Sequence, residues 1–148
     1  MNTIMKHLLS TILVLFCILW GLSSCELEHS DNGKLDGFWH LTEVETLATK
    51  SHTEKRQELV FWAVQGRLMQ LMRNGTSIYM RFKHENNTFQ VYEPRQNDRM
   101  TGDSLITDVS QLEVYGITGL DETFAIETLT RGKLVLRGEV LRLYFRKE

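Results

Sequence analysis

Arg67-Leu68-Met69-Gln70-Leu71-Met72-Arg73-Asn74-Gly75-Thr76-Ser77-Ile78-Tyr79-Met80-Arg81-Phe82-Lys83 is the stretch whose reading decides the fold. Asn74-Gly75 separates two apolar-containing runs, and both residues tolerate positive φ. The pair therefore favours the tight two-residue turn whose twist matches that of paired strands. Beyond the turn, Ile78, Met80 and Phe82 alternate with Tyr79, Arg81 and Lys83. A period of two places one set on a dry face and the other in water, which is how a half-buried strand reads. Met69 and Leu71 take the dry side of the preceding strand.

Working outward, the same grammar repeats. Gly37-Phe38-Trp39-His40-Leu41-Thr42-Glu43-Val44 opens a first strand, and the polar residues 49–57 read as a loop. Residues 58–64 reach residues 67–73 through Gln65-Gly66, a second hairpin. Glu85-Asn86-Asn87 turns the chain into residues 88–92, with Phe89 and Val91 inward. Residues 94–104, holding the only proline, form the longest loop. Residues 105–119 admit a short helical turn capped by Asp108 or another strand, the helical turn being favoured. Residues 124–129, 133–137 and 140–146 close the domain as strands, with Phe124, Ile126, Leu134, Leu136, Leu141, Leu143 and Phe145 inward. Eight or nine short strands joined mainly by hairpins make the chain all-β, an up-and-down barrel or a sandwich with at most one short helical segment.

The chain begins differently. Lys6 is followed by fifteen largely apolar residues, 8–22, too few for the roughly 20 that cross a bilayer comfortably. Leu22-Ser23-Ser24-Cys25 then matches a bacterial lipobox. The reading is a lipoprotein signal over residues 1–24, lipidation of Cys25, and an envelope location at the outer membrane, on its periplasmic face or the cell surface. Several acyl chains at one terminus hold a protein to a membrane durably. Glu26-Leu27-Glu28-His29-Ser30-Asp31-Asn32-Gly33 is polar and acidic, so residues 25–36 read as a tether and 37–148 as the folded domain. The 124 residues after the signal suffice for one core. Cys17 lies in the segment to be discarded and Cys25 carries lipid, which leaves no disulfide. The formal charge of −2 becomes −3 without Lys6, and its even spread disfavours nucleic acid as a partner.

Gly37-Phe38-Trp39 at the start of the first strand resembles the Gly-x-Trp signature of lipocalins and their calycin relatives. From residue 35 onward the chain is similar to small lipocalin-like lipoproteins of Gram-negative bacteria with no assigned function. The resemblance implies an eight-stranded barrel whose narrow end is closed by Trp39, packed near a basic residue of a late strand, Arg142 or Arg146. Departures are the lack of a long C-terminal helix and of the lipocalin disulfide.

A barrel of this size is filled by side chains or holds one small ligand. The candidate lining is Trp39, Met69, Leu71, Ile78, Met80, Phe82, Phe89 and Val91. Leu59-Val60-Phe61-Trp62-Ala63-Val64 is apolar on both faces and Leu68-Met69-Gln70-Leu71-Met72 nearly so. Such strands pack under residues 105–119, the favoured reading, or offer an apolar surface to an envelope protein partner. Catalytic chemistry is not expected. His29, His40, His52 and His84 have no metal-ligand spacing, no cofactor motif is present, and Glu43 with Glu45 reads as an exposed strand-end pair rather than an acid–base couple. Asp103-Ser104-Leu105 resembles a bacterial O-glycosylation tripeptide. Two functions follow: a tethered binder of a small apolar or amphipathic molecule, or an interaction module docking through residues 59–72.

Overall fold

A computed structural model describes residues 2–5, 7 and 32–148. Cys25, nearly all of the expected signal and the tether up to residue 31 lie outside the described residues. Nine antiparallel strands follow: β1 (Gly37–Thr46), β2 (Ser51–Glu54), β3 (Phe61–Gln65), β4 (Leu68–Arg73), β5 (Thr76–Glu85), β6 (Thr88–Gln96), β7 (Glu122–Leu129), β8 (Lys133–Arg137) and β9 (Leu141–Lys147). They pair in the order β2-β1-β3-β4-β5-β6-β7-β8-β9, and β9 returns to pair with β1. The sheet is a closed up-and-down barrel of eight strands with β2 as an extra.

The extra strand has a simple origin. Glu43–Thr46 of β1 pairs with β2, and Gly37–His40 pairs with β3 on the same side. Between them Lys55 N–H donates to the Thr42 carbonyl and Leu41 N–H to the Val60 carbonyl. Thus β2 and β3 are one barrel strand interrupted by the turn at Arg56–Glu58 and by Leu59 at φ 52°. The sequence reading placed residues 49–57 in a loop. All four residues of β2 are exposed, so the strand carries no apolar period to read.

Strand direction defines two ends. The turns β3–β4, β5–β6 and β7–β8 and both chain termini of the barrel lie at the lower end; β1–β2, β4–β5, β8–β9 and the long β6–β7 connection lie at the upper. At the lower end a 3-10 turn, Gly33–Leu35, brings Leu35 to full burial. Trp39, also fully buried, donates its indole N–H to the Leu35 carbonyl at 2.7 Å. The cation over its ring is Lys147, whose Nζ lies 4.9 Å from the centroid. Arg142 and Arg146, expected in that place, instead pair with Glu45 and Glu127 and with Glu148. The reason is register: Trp39 sits opposite Lys147, at the far end of β9 from Arg142. Gly37 has φ 142°, a backbone conformation that L side chains rarely adopt, and a side chain there would also displace the end of Lys147 from its place beside Trp39.

The interior is aromatic. Trp62 at its centre stands 4.9 Å from Phe145, 6.0 Å from Phe124 and 6.5 Å from Phe89, and Phe82 meets Phe89 at 5.2 Å. Such offset and edge contacts add to the area that the rings bury.

Candidate functional site: the lidded upper mouth

The β6–β7 connection folds over the upper end as a lid. It leaves β6 through an isolated bridge, Arg95 to Leu105, and Ile106 N–H donates to the Pro94 carbonyl. Asp108 then caps a 3-10 turn, Val109–Gln111, its Oδ1 accepting from Ser110 N–H, and a second turn, Glu113–Tyr115, follows. The segment left open between helix and strand is therefore helical. Leu112, Tyr115 and Ile117 face inward and are almost fully buried. Gly116 reverses the chain at φ 84° and lies so close to Leu143 that an added Cβ would stand 2.6 Å from its Cδ2.

Two ties hold the lid. Trp62 Nε1 donates to the Tyr115 carbonyl at 3.2 Å. Glu122, buried at the start of β7, accepts from Thr118 N at 2.6 Å, Thr118 Oγ1 at 3.1 Å and Gly119 N at 3.2 Å. Its carboxylate is thereby satisfied, which is what permits its burial.

Between the lid and the β4–β5 hairpin a cleft of about 590 Å³ remains. Ile78, Val114 and Tyr115 form its apolar floor; Ser77, Gln96, Gln111 and the Asn74-Gly75 tip form its polar rim. Arg73 stands at the edge with Nη2 3.8 Å from Glu58 Oε2, and its buried Nε has no hydrogen-bond partner. Burial pushes the Tyr115 phenol up, and the Arg73 charge pulls it the other way. The lining is mostly polar, with Ile78, Val114 and Tyr115 as its apolar part, which suits an amphipathic molecule better than a wholly apolar one.

The eight candidate lining residues all fall in one buried cluster. They occupy different depths. Trp39 belongs to the lower closure, Met69 pairs with Met80 and Leu71 with Ile78 across β4–β5, and Phe82 pairs with Val91 across β5–β6. Only Ile78 among them reaches the mouth cleft. The sequence does not point to Arg73, Val114 and Tyr115 there: Val114 and Tyr115 sit in a three-residue 3-10 turn that carries no periodicity, and Arg73 ends β4 as an ordinary strand-end charge. Trp62 was seen only as part of an apolar run, though its place in that run, opposite Leu71, is central.

The doubly apolar strands divide cleanly. Trp62 and Val64 face inward, Trp62 beneath the lid, while Phe61 packs outside between Phe38 and His40, each ring centroid 4.7 Å away. Leu59 and Leu68 are more than half exposed. His40 is buried, with Nδ1 3.4 Å from Glu148 Oε1. Glu43 binds His52, and Glu45 accepts from Arg142 Nη1 at 2.6 Å and Tyr144 OH at 3.0 Å. Arg142 also holds Glu127. These carboxylates are engaged in a network on the outer wall. Among the described residues no three His, Cys, Asp or Glu side chains are placed to hold a metal.

A closed eight-stranded meander, a Gly-Phe-Trp whose Trp39 is buried at the lower end, and a covered upper mouth define a calycin-type barrel. The chain belongs to the lipocalin-like domain family, whose pattern it matches over residues 20–148. A lipocalin-like protein from Bacteroides uniformis ATCC 8492 has a similar structure, with a TM-score of 0.58 and 19% identity, covering 78% of this chain and all of its own. An uncharacterized protein from Bacteroides eggerthii DSM 20697 is similar with a TM-score of 0.51 and 20% identity, covering 76% of this chain and 98% of its own. No curated protein matches.

Proposed function

We propose that this chain is a lipid-anchored envelope protein, non-enzymatic, that binds a small apolar or amphipathic molecule at the lidded upper mouth of its barrel. The observation that carries the reading is the cleft between Ile78, Val114 and Tyr115, at the upper end of the barrel between the lid and the β4–β5 hairpin. The lipobox at Cys25 supports the anchor. From Cys25 to Asn32 the chain spans at most about 25 Å. It joins the barrel at the lower end, so the anchor draws that end to the outer membrane and turns the mouth away from it. The ligand then enters from the aqueous side.

Native mass spectrometry of the acyl-free protein purified from cells tests the binder, together with titration of the fluorescent apolar probe N-phenylnaphthylamine. A retained ligand or a saturable probe signal is expected. A bare protein in repeated preparations that also leaves the probe dark overturns it. Exposed Leu59 and Leu68, together with the outer Phe38–Phe61 stack, favour a second reading: docking of an envelope protein partner on the outer wall. Metabolic labelling with a palmitate analogue, lost in Cys25→Ser, tests the anchor separately.

A further inference from the structure

We propose a second binding site on the outer wall of the barrel, independent of the mouth, that takes a small amphipathic carboxylate with a flat apolar body. A cleft of about 600 Å³ lies against β4, β5 and β6, with Leu68, Tyr79 and Met80 as its apolar part and Arg81, Arg95 and Arg99 around it. The volume falls in the range of small-molecule sites, about 300–1,000 Å³.

A bulge makes the opening. Tyr79 pairs with Arg95 and Arg81 with Tyr92, so Glu93 and Pro94 both stand against Met80. Glu93 takes φ 50° there, in the left-handed region that L side chains rarely adopt. The widened ladder lets the cleft reach Met80, which is otherwise fully covered. Leu68 lies directly across from Arg81, and Tyr79 lies diagonal to it, giving an aromatic and an aliphatic surface side by side.

The charges are placed by the backbone. Residues 97–104 fold back along β6, with Gln96 N–H on the Ser104 carbonyl and Arg95 Nη1 on the Asp103 carbonyl at 3.1 Å. The Asp98 carboxylate is consumed by its own turn, accepting from Met100 N, Thr101 N and Thr101 Oγ1, and this turn presents Arg99. Glu93 is matched by Arg81 Nε at 3.2 Å. Asp103 remains as the opposing carboxylate, so three guanidinium groups face two acids and the cleft is cationic. Guanidinium forks bind carboxylates through paired N–H donors, and they stack on flat rings. Asn97 lines both this cleft and the mouth, and its amide donates to Ser77 Oγ at 2.7 Å, so it forms the ridge that separates them.

The test uses 2-naphthoate and its neutral amide on the chain from Cys25 onward carrying Cys25→Ser, because the hydrogen-bonded cylinder is complete within residues 37–147. Binding followed by amide NMR should shift Tyr79, Arg81 and Arg95. Arg99→Gln should weaken naphthoate about threefold or more and Asp103→Asn should tighten it about twofold, as expected for single exposed charges. The neutral amide should bind at least about fivefold more weakly, and filling the mouth with Val114→Trp should change nothing. The proposal is overturned by no binding at millimolar naphthoate, by shifts confined to the mouth, by equal binding of acid and amide, or by affinities indifferent to both charge variants.

Discussion

Trp62 donates its indole N–H to the Tyr115 carbonyl, and this one bond joins the centre of the barrel wall to the inner turn of the lid. The wall supplies a rigid ring wedged among Phe89, Phe124 and Phe145; the lid supplies a carbonyl that its own short turn leaves unpaired. Closure of the mouth therefore involves a core residue as well as the Glu122 contacts at the rim.

Trp62→Phe keeps an aromatic ring but orphans that carbonyl. A buried acceptor left without a donor costs about 1–3 kcal/mol, and the lost ring volume adds to it. The denaturation midpoint should fall, and hydrogen exchange should quicken more at residues 112–117 than in β5. Uniform acceleration across the barrel would show that the bond does not hold the lid.

Gly116→Ala should cost more than Gly75→Ala. Both glycines have positive φ, 84° and 78°, so each alanine incurs roughly 1–3 kcal/mol of backbone strain. Only at Gly116 does the new methyl also strike Leu143, while nothing lies within 4 Å of Gly75. The melting temperature should drop by a few degrees for the hairpin variant and by clearly more for the lid variant.

Much of this was legible because barrel strands announce themselves. The alternation in β5 gave Ile78, Met80 and Phe82 as buried, and Asn74-Gly75 and Asn86 do adopt positive φ at their turns. Legibility failed where burial and local pattern part company. Four exposed residues make β2, and tertiary register, not spacing, chose Lys147 over two arginines as the neighbour of Trp39. Glu122 and Glu45 gave no sign of burial, since a carboxylate is covered only once its partners are in place, and those partners are distant in sequence or set by a turn.

Acid should weaken the outer-wall network in a predictable window. The Arg142 guanidinium, foremost, and then the Tyr144 hydroxyl hold the Glu45 carboxyl below its ordinary value of 4.5, against the opposing effect of burial. A depressed folded value means that the stabilisation is complete above about 4.5 and is lost as pH falls through the folded value. Urea midpoints of wild type and Glu45→Gln should therefore differ most near neutrality and converge as acid takes the pH below 4.5 and through the folded value. A gap that never narrows with acid would show that the charge of Glu45 contributes nothing.

Burial pushes Tyr115 and Tyr144 the other way, above the ordinary 10.0. A raised folded value gives stability that is intact below about 10 and lost as pH climbs through it. Tyr115→Phe should flatten the alkaline limb of the stability profile, and Tyr144→Phe in β9 should do the same. An unchanged limb in both would place alkaline unfolding elsewhere.

Val114→Trp separates binding from folding. Val114 lines the mouth cleft and is only half-buried, so a larger ring can occupy the open space without entering the packed interior. The melting temperature should stay within about 2 °C of wild type, as for most changes outside the core. N-phenylnaphthylamine uptake should fall at least about tenfold, the loss of roughly 1.4 kcal/mol of binding. Filling a cleft that takes no ligand would leave probe fluorescence untouched, and that result would move the binding site away from the mouth.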